Sequence, residues 1–432
     1  MANEKISYKE VLKESGYRKL LLSTIINRFG DSVDAIAFTW LVYQVTQSGA
    51  WSAIIFGLNI LPNVVIQPFA GAAVEKLDKR KVMVFTHILR GIVLLGFLII
   101  YLSGRTTGWL MAAFTVVVTS IEAFNMPSGT AFIPKVIKKE HLTYALSLNA
   151  TLSNAVTLVG TGAAGVIIAK AGIFTAMIID IVTFFGAALI IFTIRANEQI
   201  EEENSSDSVE GSKSESYLAT MKEGLRYIRS QRVIVNYCLV GVMLNLFLVP
   251  INALQAPLVS ECYHMGSELL SVIGMTLSFG SILGSAVIPL IDRHFSVKKT
   301  IISFGILLGL GVLILPLGSM FGSLTVLKYG YVVFCFALMT FSAAIINGVV
   351  NIRFIGSVDQ RYLARSSAVF VSFATAAMPL GSMLVSWAEL RIHTATLIRI
   401  GGLTTIIFFI ILAVVSPQLE VQEGKVNEVK IA

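Results

Sequence analysis

The sequence predicts an all-α integral membrane protein, with twelve transmembrane helices arranged as two pseudo-symmetric six-helix halves. Three observations support this fold class. The composition is too apolar for a soluble protein, and twelve apolar segments are long enough to cross a bilayer. Charged loops in the first half of the chain are also repeated in the second half.

The composition defines the broad class of protein. The 432 residues are 55% hydrophobic and 14% charged, whereas soluble domains contain about 25% charged residues. The net charge is +7, but the lysines and arginines lie between apolar segments, so we expect no nucleic-acid partner. The histidines and the three cysteines lack metal-ligand spacing, and no GxxxxGK[ST] loop is present. We therefore expect no cofactor, no metal site and no use of ATP.

The twelve apolar segments fall into two groups of six. Their ranges are 18–46, 50–74, 82–102, 109–133, 142–169, 172–194, 232–259, 267–291, 299–319, 325–352, 362–388 and 394–415. Between the sixth and seventh segments the chain is polar, acidic and serine-rich, which is typical of a solvated linker. The sequence therefore predicts an N-terminal half over 1–195, a cytoplasmic linker over 196–231 and a C-terminal half over 232–432.

The distribution of basic residues predicts the orientation in the membrane. If the N-terminus is cytoplasmic, most of the 33 lysines and arginines lie in cytoplasmic loops. The outer loops and outer helix ends then contain only Arg105, Lys170, Lys328, Arg391 and Arg399. This asymmetry predicts that both termini are cytoplasmic.

Two pairs of loops indicate an internal repeat. GTAFIPKVIKKEHLTYALSLNA (129–150) and GVVNIRFIGSVDQRYLARSSAV (348–369) each leave an apolar helix, cross a charged loop and enter a helix rich in serine and alanine. EKLDKRK (75–81) likewise matches IDRHFSVKK (291–299). Repeated halves are typical of transporters whose binding site lies between the halves near the bilayer midplane.

Residues 71–81, GAAVEKLDKRK, resemble the signature loop of the major facilitator superfamily. The places of that pattern are filled by Gly71, Glu75, Lys76, Asp78, Lys79, Arg80 and Lys81, with glutamate at 75 where aspartate is usual. The second copy keeps Asp292 and Arg293 but has Ile288 in place of the glycine. The resemblance implies the twelve-helix fold of that family and extends along the whole chain.

The charges of this loop suggest conformational gating. We expect Gly71 to permit a close approach between helices, and the acids and bases to pair with the opposite half in one conformation only. The alternative is that the basic residues merely anchor the topology. The acidic residues Glu75 and Asp78 favour gating, because anchoring does not require them.

Within the superfamily, the chain looks most like the macrolide-efflux group of bacterial drug:proton antiporters. This resemblance rests on Gly30-Asp31, WLVYQVTQSGAWSA (40–53), Leu89-Arg90, AFNMPSGTAFIP (123–134) and EGLRYIRSQR (223–232). GTGAAG (160–165) resembles the glycine-rich antiporter motif, although Thr161 stands where that motif has proline.

Three charges in the first apolar segment are candidates for function. At ~1.5 Å per residue, a helix beginning near Arg18 places Asp31 about 20 Å along its axis, near the midplane. Arg28 precedes Asp31 by three positions and is expected to neutralise it, which leaves Asp34 as the acid without a partner. A charge at that depth costs roughly 2.5–3.5 kcal/mol on insertion scales, so it usually has a partner or a function.

Three further charges reach a similar depth, namely Arg90, Glu122 and Asp180, whereas the C-terminal half has no comparable acid. A carboxylate removed from water binds a proton more readily, so these acids are candidate proton carriers that also attract cationic compounds. The alternative is a static network, Arg28–Asp31 and Arg90–Glu122, that only locks helices together. Asp180 is the weakest candidate, because the sixth helix commonly lies at the periphery of this fold.

The sequence therefore predicts a secondary transporter of the bacterial plasma membrane that couples proton entry to efflux of hydrophobic drugs such as macrolides. The alternative within this class is a dedicated exporter of an endogenous metabolite such as a siderophore or lipid. The rival from another class is a membrane-embedded enzyme or a non-transporting sensor. No paired catalytic acids or Ser–His pair occur at suitable spacing for the enzyme, and we expect no soluble output domain of the kind a sensor usually has. The expected partners are a small-molecule substrate, protons and the lipid bilayer, and the expected state is a monomer.

Overall fold

The computed structural model describes residues 8–194 and 217–415, and nearly all of them are helical. A short helical turn, Tyr8–Val11, precedes the long helices. These are α1 Ser15–Thr46, α2 Gly49–Lys76, α3 Lys79–Leu102, α4 Gly108–Phe132, α5 and α6 (the parts of Leu142–Phe192 before and after Gly172), α7 Arg232–Ala253, α8 Ser267–His294, α9 Val297–Ile314, α10 Thr325–Ser357, α11 Gln360–Glu389 and α12 Thr394–Val415.

Gly172 divides the longest helical stretch into two spans. Its backbone angles, φ 77° and ψ 171°, lie outside the helical region, in a conformation that glycine adopts at little cost. The chain therefore turns between 142–171 and 173–192. The predicted segments 142–169 and 172–194 are thereby confirmed as separate helices.

Ten helical stretches are long and apolar enough to cross a membrane, as judged by length and composition over the described residues. Leu142–Phe192 is one of the ten, and its break makes it two spans. Ser15–Thr46 is not among them, because its charged and polar residues lower its apolarity, although its 32 residues exceed the length a bilayer requires. With α1 included, the predicted twelve helices are present.

The helix contacts show the internal repeat. In the N-terminal half α2 packs on α4 and α3 packs on α6, and in the C-terminal half α8 packs on α10 and α9 packs on α12. Adding six to each helix number turns the α2–α4 contact into the α8–α10 contact and the α3–α6 contact into the α9–α12 contact. The two halves meet through α2 with α11 and through α5 with α8, and the same shift of six helices exchanges these two interfaces. The fold is therefore two equivalent six-helix units joined face to face.

The close contacts between the halves lie toward one end of the bundle, which we call the gate end. It is the end that holds the α1–α2 connection, Gln47 and Ser48. A Cβ atom added to Gly57 of α2 would overlap Ser382 of α11, and one added to Gly165 of α5 would lie 2.7 Å from Ser271 Oγ of α8. The opposite end holds the α2–α3 connection and is called the basic end.

The end of the predicted linker forms a helix that sequence reasoning did not anticipate. The first part of the linker lies outside the described residues, but Tyr217–Ser230 is helical and packs on α11. Tyr227 stacks on Tyr362 with ring centroids 4.6 Å apart, and Glu223 pairs with Arg365. The linker helix is thus attached to the C-terminal half at the basic end.

Candidate functional site

Asp31 of α1 is held by two donors from different directions. Arg90 of α3 donates from Nη2 to Asp31 Oδ1 at 2.9 Å, and Asn27 donates from Nδ2 to Asp31 Oδ2 at 2.7 Å. Asn27 lies one helical turn before Asp31, so its amide reaches along the helix to the carboxylate. Arg90 reaches it because α1 and α3 converge in the interior of the N-terminal half.

The prediction that Arg28 neutralises Asp31 is wrong for this structure. Arg28 is exposed, and among the described residues the salt bridge to Asp31 comes from Arg90. The spacing of three residues makes Arg28 and Asp31 neighbours along the helix, but it does not show which helix face meets α3. Asp31 lies toward that interface, whereas the exposed Arg28 acts electrostatically on Glu122.

Arg90 of α3 contacts side chains of three other helices, α1, α4 and α6. Its Nη2 atom lies 3.9 Å from Glu122 Oε2 of α4, so the predicted Arg90–Glu122 pair is present as a second, longer contact. Its guanidinium lies 4.3 Å from the centroid of the Phe184 ring of α6, which gives a cation–π contact. Only 6% of Arg90 is exposed, so this cation is removed from solvent.

Asp34, one helical turn beyond Asp31, has an unsatisfied buried oxygen. Its Oδ1 atom is buried and has no hydrogen-bond partner, in contrast to both oxygens of Asp31. Asp34 nonetheless interacts electrostatically with Asp31 and Arg90. A buried carboxylate oxygen without a donor is unfavourable, and a proton removes that penalty by neutralising the group.

Asp180 lies closer to this site than the sequence indicated. It is 2% exposed and faces α1 at Gly30, where an added Cβ atom would lie 2.5 Å from Asp180 Oδ1. Thr183 Oγ1 lies 3.2 Å from the same oxygen and 2.8 Å from the backbone oxygen of Asp180, to which it donates. The absence of a side chain at Gly30 lets α6 approach α1, so Asp180 joins the interior cluster instead of lying at the periphery.

Asp31, Asp34, Glu122 and Asp180 together form what we call the acidic cluster. Its members interact electrostatically with Arg90 and with one another. Among the described residues, Arg90 is the cation that forms salt bridges with the cluster. Four carboxylates around one buried guanidinium leave an excess of negative charge, and a water-poor interior disfavours that excess unless protons or cations bind.

Within the part of the chain that the structure describes, the loop at the basic end has its contacts inside the N-terminal half. Asp78 is the N-cap of α3 and accepts from the backbone N–H groups of Arg80 at 3.0 Å and Lys81 at 3.2 Å. Lys81 Nζ also lies 3.8 Å from Asp78. Lys79 donates to the backbone oxygen of Glu75 at 2.7 Å, while Lys76 and Glu75 are exposed. These contacts stabilise the start of α3.

In this conformation Arg80 does not pair with the opposite half, and no helix approaches Gly71 closely, although the sequence predicts both for one state of the protein. Arg80 donates from Nη1 to the backbone oxygen of Ile194 at 2.6 Å, and Lys19 donates to that of Thr193 at 3.1 Å. These bases bind the carbonyl end of α6 in their own half, where a cation is favoured. A Cβ atom on Gly71 would meet nothing within 4 Å, so the predicted close helix approach at Gly71 is absent here.

Sequence reasoning missed a second pair of acids, at the gate end. Glu261 follows α7 in a π-helical turn, Leu258–Cys262, and Glu389 is the last residue of α11. Tyr43 of α1 donates to Glu261 at 2.9 Å across the interface between the halves. Both acids fall just beyond a predicted apolar segment, where they look like ordinary loop residues. Their joint position depends on helix packing that spacing along the chain does not show.

No group of three or more His, Cys, Asp or Glu side chains suited to a metal ion occurs among residues 8–194 and 217–415.

Comparison with known proteins identifies related transporters. A family model described as Major Facilitator Superfamily matches residues 20–382. Macrolide efflux protein A of Streptococcus pyogenes is 23% identical over 332 residues, covering 76% of this chain and 78% of that protein. Multidrug efflux pump Tap of Mycolicibacterium fortuitum is 25% identical over 371 residues, covering 84% and 87%. The crystal structure of nucleoside transporter NupG superposes with a TM-score of 0.71 at 11% identity, covering 93% of this chain and 98% of that one.

Proposed function

This chain belongs to the Major Facilitator Superfamily, and on that premise we propose that it is a proton-coupled exporter of hydrophobic drugs such as macrolides. The observation that supports this most is the excess of carboxylates around Arg90 in the membrane interior. The similarity to macrolide and multidrug efflux proteins supports the choice of substrate class. We place the protein in the bacterial plasma membrane as a monomer with both termini in the cytoplasm.

The acidic cluster supplies the coupling step. When Asp34 or a neighbouring acid is protonated, the cluster loses negative charge, and when the proton leaves, the site attracts a cationic or polarisable compound. Proton and drug then compete for the same state of the protein. Such competition produces exchange, because each ligand favours departure of the other.

The contacts between the halves suggest which step the structure represents. With cytoplasmic termini, the gate end faces outward and the basic end faces the cytoplasm. The halves are in close contact toward the gate end, through Tyr43 with Glu261 and Gly57 with Ser382. This arrangement corresponds to a transporter closed to the outside, which releases a proton to the cytoplasm and accepts the compound to be exported.

Uptake into energised inside-out vesicles tests this function. The vesicles come from a host that lacks its own drug pumps, and the compounds are a macrolide, a cationic dye and a neutral lipophile. We expect uptake of the macrolide that a protonophore abolishes and that Asp34→Asn reduces at least tenfold. The matched control is Glu140→Gln, which neutralises an exposed acid outside the cluster and should leave uptake unchanged.

Each alternative has a distinct result. If the protein is inserted and folded but exports none of the three compounds, drug export is wrong and a dedicated exporter of one metabolite replaces it. If uptake persists with the protonophore, or if Asp31→Asn and Asp34→Asn transport normally, the acidic cluster does not couple protons to export.

A further inference from the structure

The second acidic pair lies at the interface that closes the gate end. Glu261 Oε1 accepts from the Tyr43 hydroxyl of α1 at 2.9 Å. Glu389 lies against the start of α2, where a Cβ atom added to Gly49 would overlap its carboxyl group. Both acids belong to the C-terminal half, and both contact the N-terminal half. Their charge state therefore acts directly on the contact between the halves.

One hydroxyl group joins the two acids. Thr394 Oγ1, at the start of α12, lies 2.9 Å from Glu261 Oε2 and 2.6 Å from Glu389 Oε1. Including Tyr43, there are three oxygen–oxygen contacts, but the hydroxyls of Tyr43 and Thr394 supply only two hydrogens. Either Thr394 shares its one hydrogen between the two acids, or a carboxyl group donates the third hydrogen. One proton on the Glu261–Glu389 pair gives each of the three contacts its own hydrogen.

Among the described residues, no basic side chain forms an ion pair with Glu261 or Glu389, because no lysine, arginine or histidine lies within ion-pair distance of either carboxyl group. The nearby bases Arg391, His393 and Arg399 are exposed, and Arg391 lies 5.2 Å above the Trp387 ring.

The groups that face the pair from the remaining elements are neutral. They are the Tyr43 hydroxyl of α1, which also interacts with the Ser260 side chain, the thiol of Cys262 next to Glu261, and Gly49 at the start of α2. In addition, Glu389 Oε2 is buried and has no hydrogen-bond partner. An unpartnered oxygen is tolerated better on a neutral carboxyl group than on a carboxylate.

We propose that the Glu261–Glu389 pair is a proton-operated latch, which closes the gate end only when one of its two carboxyl groups is protonated. Loss of the proton leaves two carboxylates competing for one Thr394 hydrogen, and their repulsion separates Glu389 from α2. Acidification therefore favours the closed gate and alkalinity favours the open gate. The latch is distinct from the acidic cluster and does not depend on which compound is transported.

Distance measurements between spin labels at the gate end test the latch in the full-length protein. Cysteines replace Arg105 in the α3–α4 connection and Ser323 in the α9–α10 connection, both exposed, and Cys238, Cys262 and Cys335 are changed to alanine. As the pH rises, we expect the long-distance population to grow, by up to about tenfold in the open-to-closed ratio per pH unit for one proton. Glu389→Gln keeps the shape and supplies an N–H donor to Thr394, so it should stay closed at every pH. Glu261→Gln provides a second variant with the same expected result.

The acidic cluster could also change the gate with pH, so the same titration is repeated in Asp34→Asn. We expect the pH response of the gate to persist in that variant. A gate distance that does not change with pH in the otherwise unmodified protein would overturn the latch. A response that survives in both Glu389→Gln and Glu261→Gln would overturn it as well, because it would locate the responsible proton elsewhere.

Discussion

Arg90 binds Asp31 through a 2.9 Å hydrogen bond that joins α3 to α1 in the interior of the N-terminal half. The same nitrogen lies 3.9 Å from Glu122, so one guanidinium links the acids of two other helices. Each of these charges is removed from bulk water to a different degree, with Arg90 the most buried. Within residues 8–194 and 217–415, Arg90 is therefore the cation at ion-pair distance from the acidic cluster.

Removal of Arg90 should destabilise the protein because it takes the cation away from Asp31, whose side chain is partly buried and keeps only the Asn27 amide as a donor. We expect Arg90→Met to lower the free energy of unfolding by about 3 kcal/mol, the lower end of the range for breaking a buried pair from one side. Thermal unfolding in detergent measures the loss. The double variant Arg90→Met with Asp31→Asn should recover much of the stability, whereas equal losses in the single and double variants would contradict a direct Arg90–Asp31 coupling.

Gly30 controls the approach of α6 to α1. A Cβ atom at this position would overlap Thr183 and lie 2.5 Å from Asp180 Oδ1. We expect Gly30→Ala to cost about 1–3 kcal/mol of stability through overpacking. It should also displace Asp180 from the cluster. Unfolding of the purified protein measures the cost, and Gly96→Ala is the control, because a Cβ atom there meets nothing within 4 Å. Equal stability of the two variants would show that α6 does not pack on α1 at Gly30.

Asp78 has a structural role that separates it from the other loop residues. As N-cap of α3 it binds two backbone N–H groups, so Asp78→Ala should lower stability by about 1 kcal/mol. Asp78→Ser retains a capping oxygen but removes the charge. If Asp78 acts only as a cap, the serine variant should transport like the unmodified protein in the vesicle assay. A serine variant that is stable but inactive would instead show that the charge takes part in gating.

Substitutions at Gly71 test whether a helix approaches this position when the halves close at the basic end. The surroundings of Gly71 are open in the structure, so Gly71→Ala should not lower the stability of this conformation. If the halves close at the basic end during transport, and α2 then approaches a partner helix at Gly71, Gly71→Leu should slow transport several-fold. Unfolding and uptake measured on the same preparations provide the test. Normal uptake by Gly71→Leu would exclude a close approach at this position in any step.

The fold was predictable because segment length, apolar composition and repeated loops can be read directly from the sequence. Apolar segments of spanning length gave the helices, and Gly172 lies at the predicted boundary between the fifth and sixth. The matching loops indicated two equivalent halves, in agreement with the helix contacts. The linker helix was not anticipated, because its stability comes from packing on α11 through Tyr227 and Glu223.

The site was predictable only in part. Position along the helices, near the bilayer midplane, identified four candidate residues that the structure brings together: Asp31, Asp34, Arg90 and Glu122. Their pairing was not predictable, because the spacing of Arg28 and Asp31 describes one helix and says nothing of the helix opposite. Asp180 and the Glu261–Glu389 pair depend on contacts between helices far apart in sequence, such as Gly30 against Asp180.

Proton release on drug binding tests the central proposal most directly. A macrolide is added to the purified protein in weakly buffered detergent solution that contains a pH-sensitive dye, and the released protons are counted per protein. We expect release from the unmodified protein and a marked loss of release from Asp34→Asn, with Glu140→Gln unchanged. Binding of the macrolide without proton release, or equal release from Asp34→Asn, would contradict competition between proton and drug at the acidic cluster.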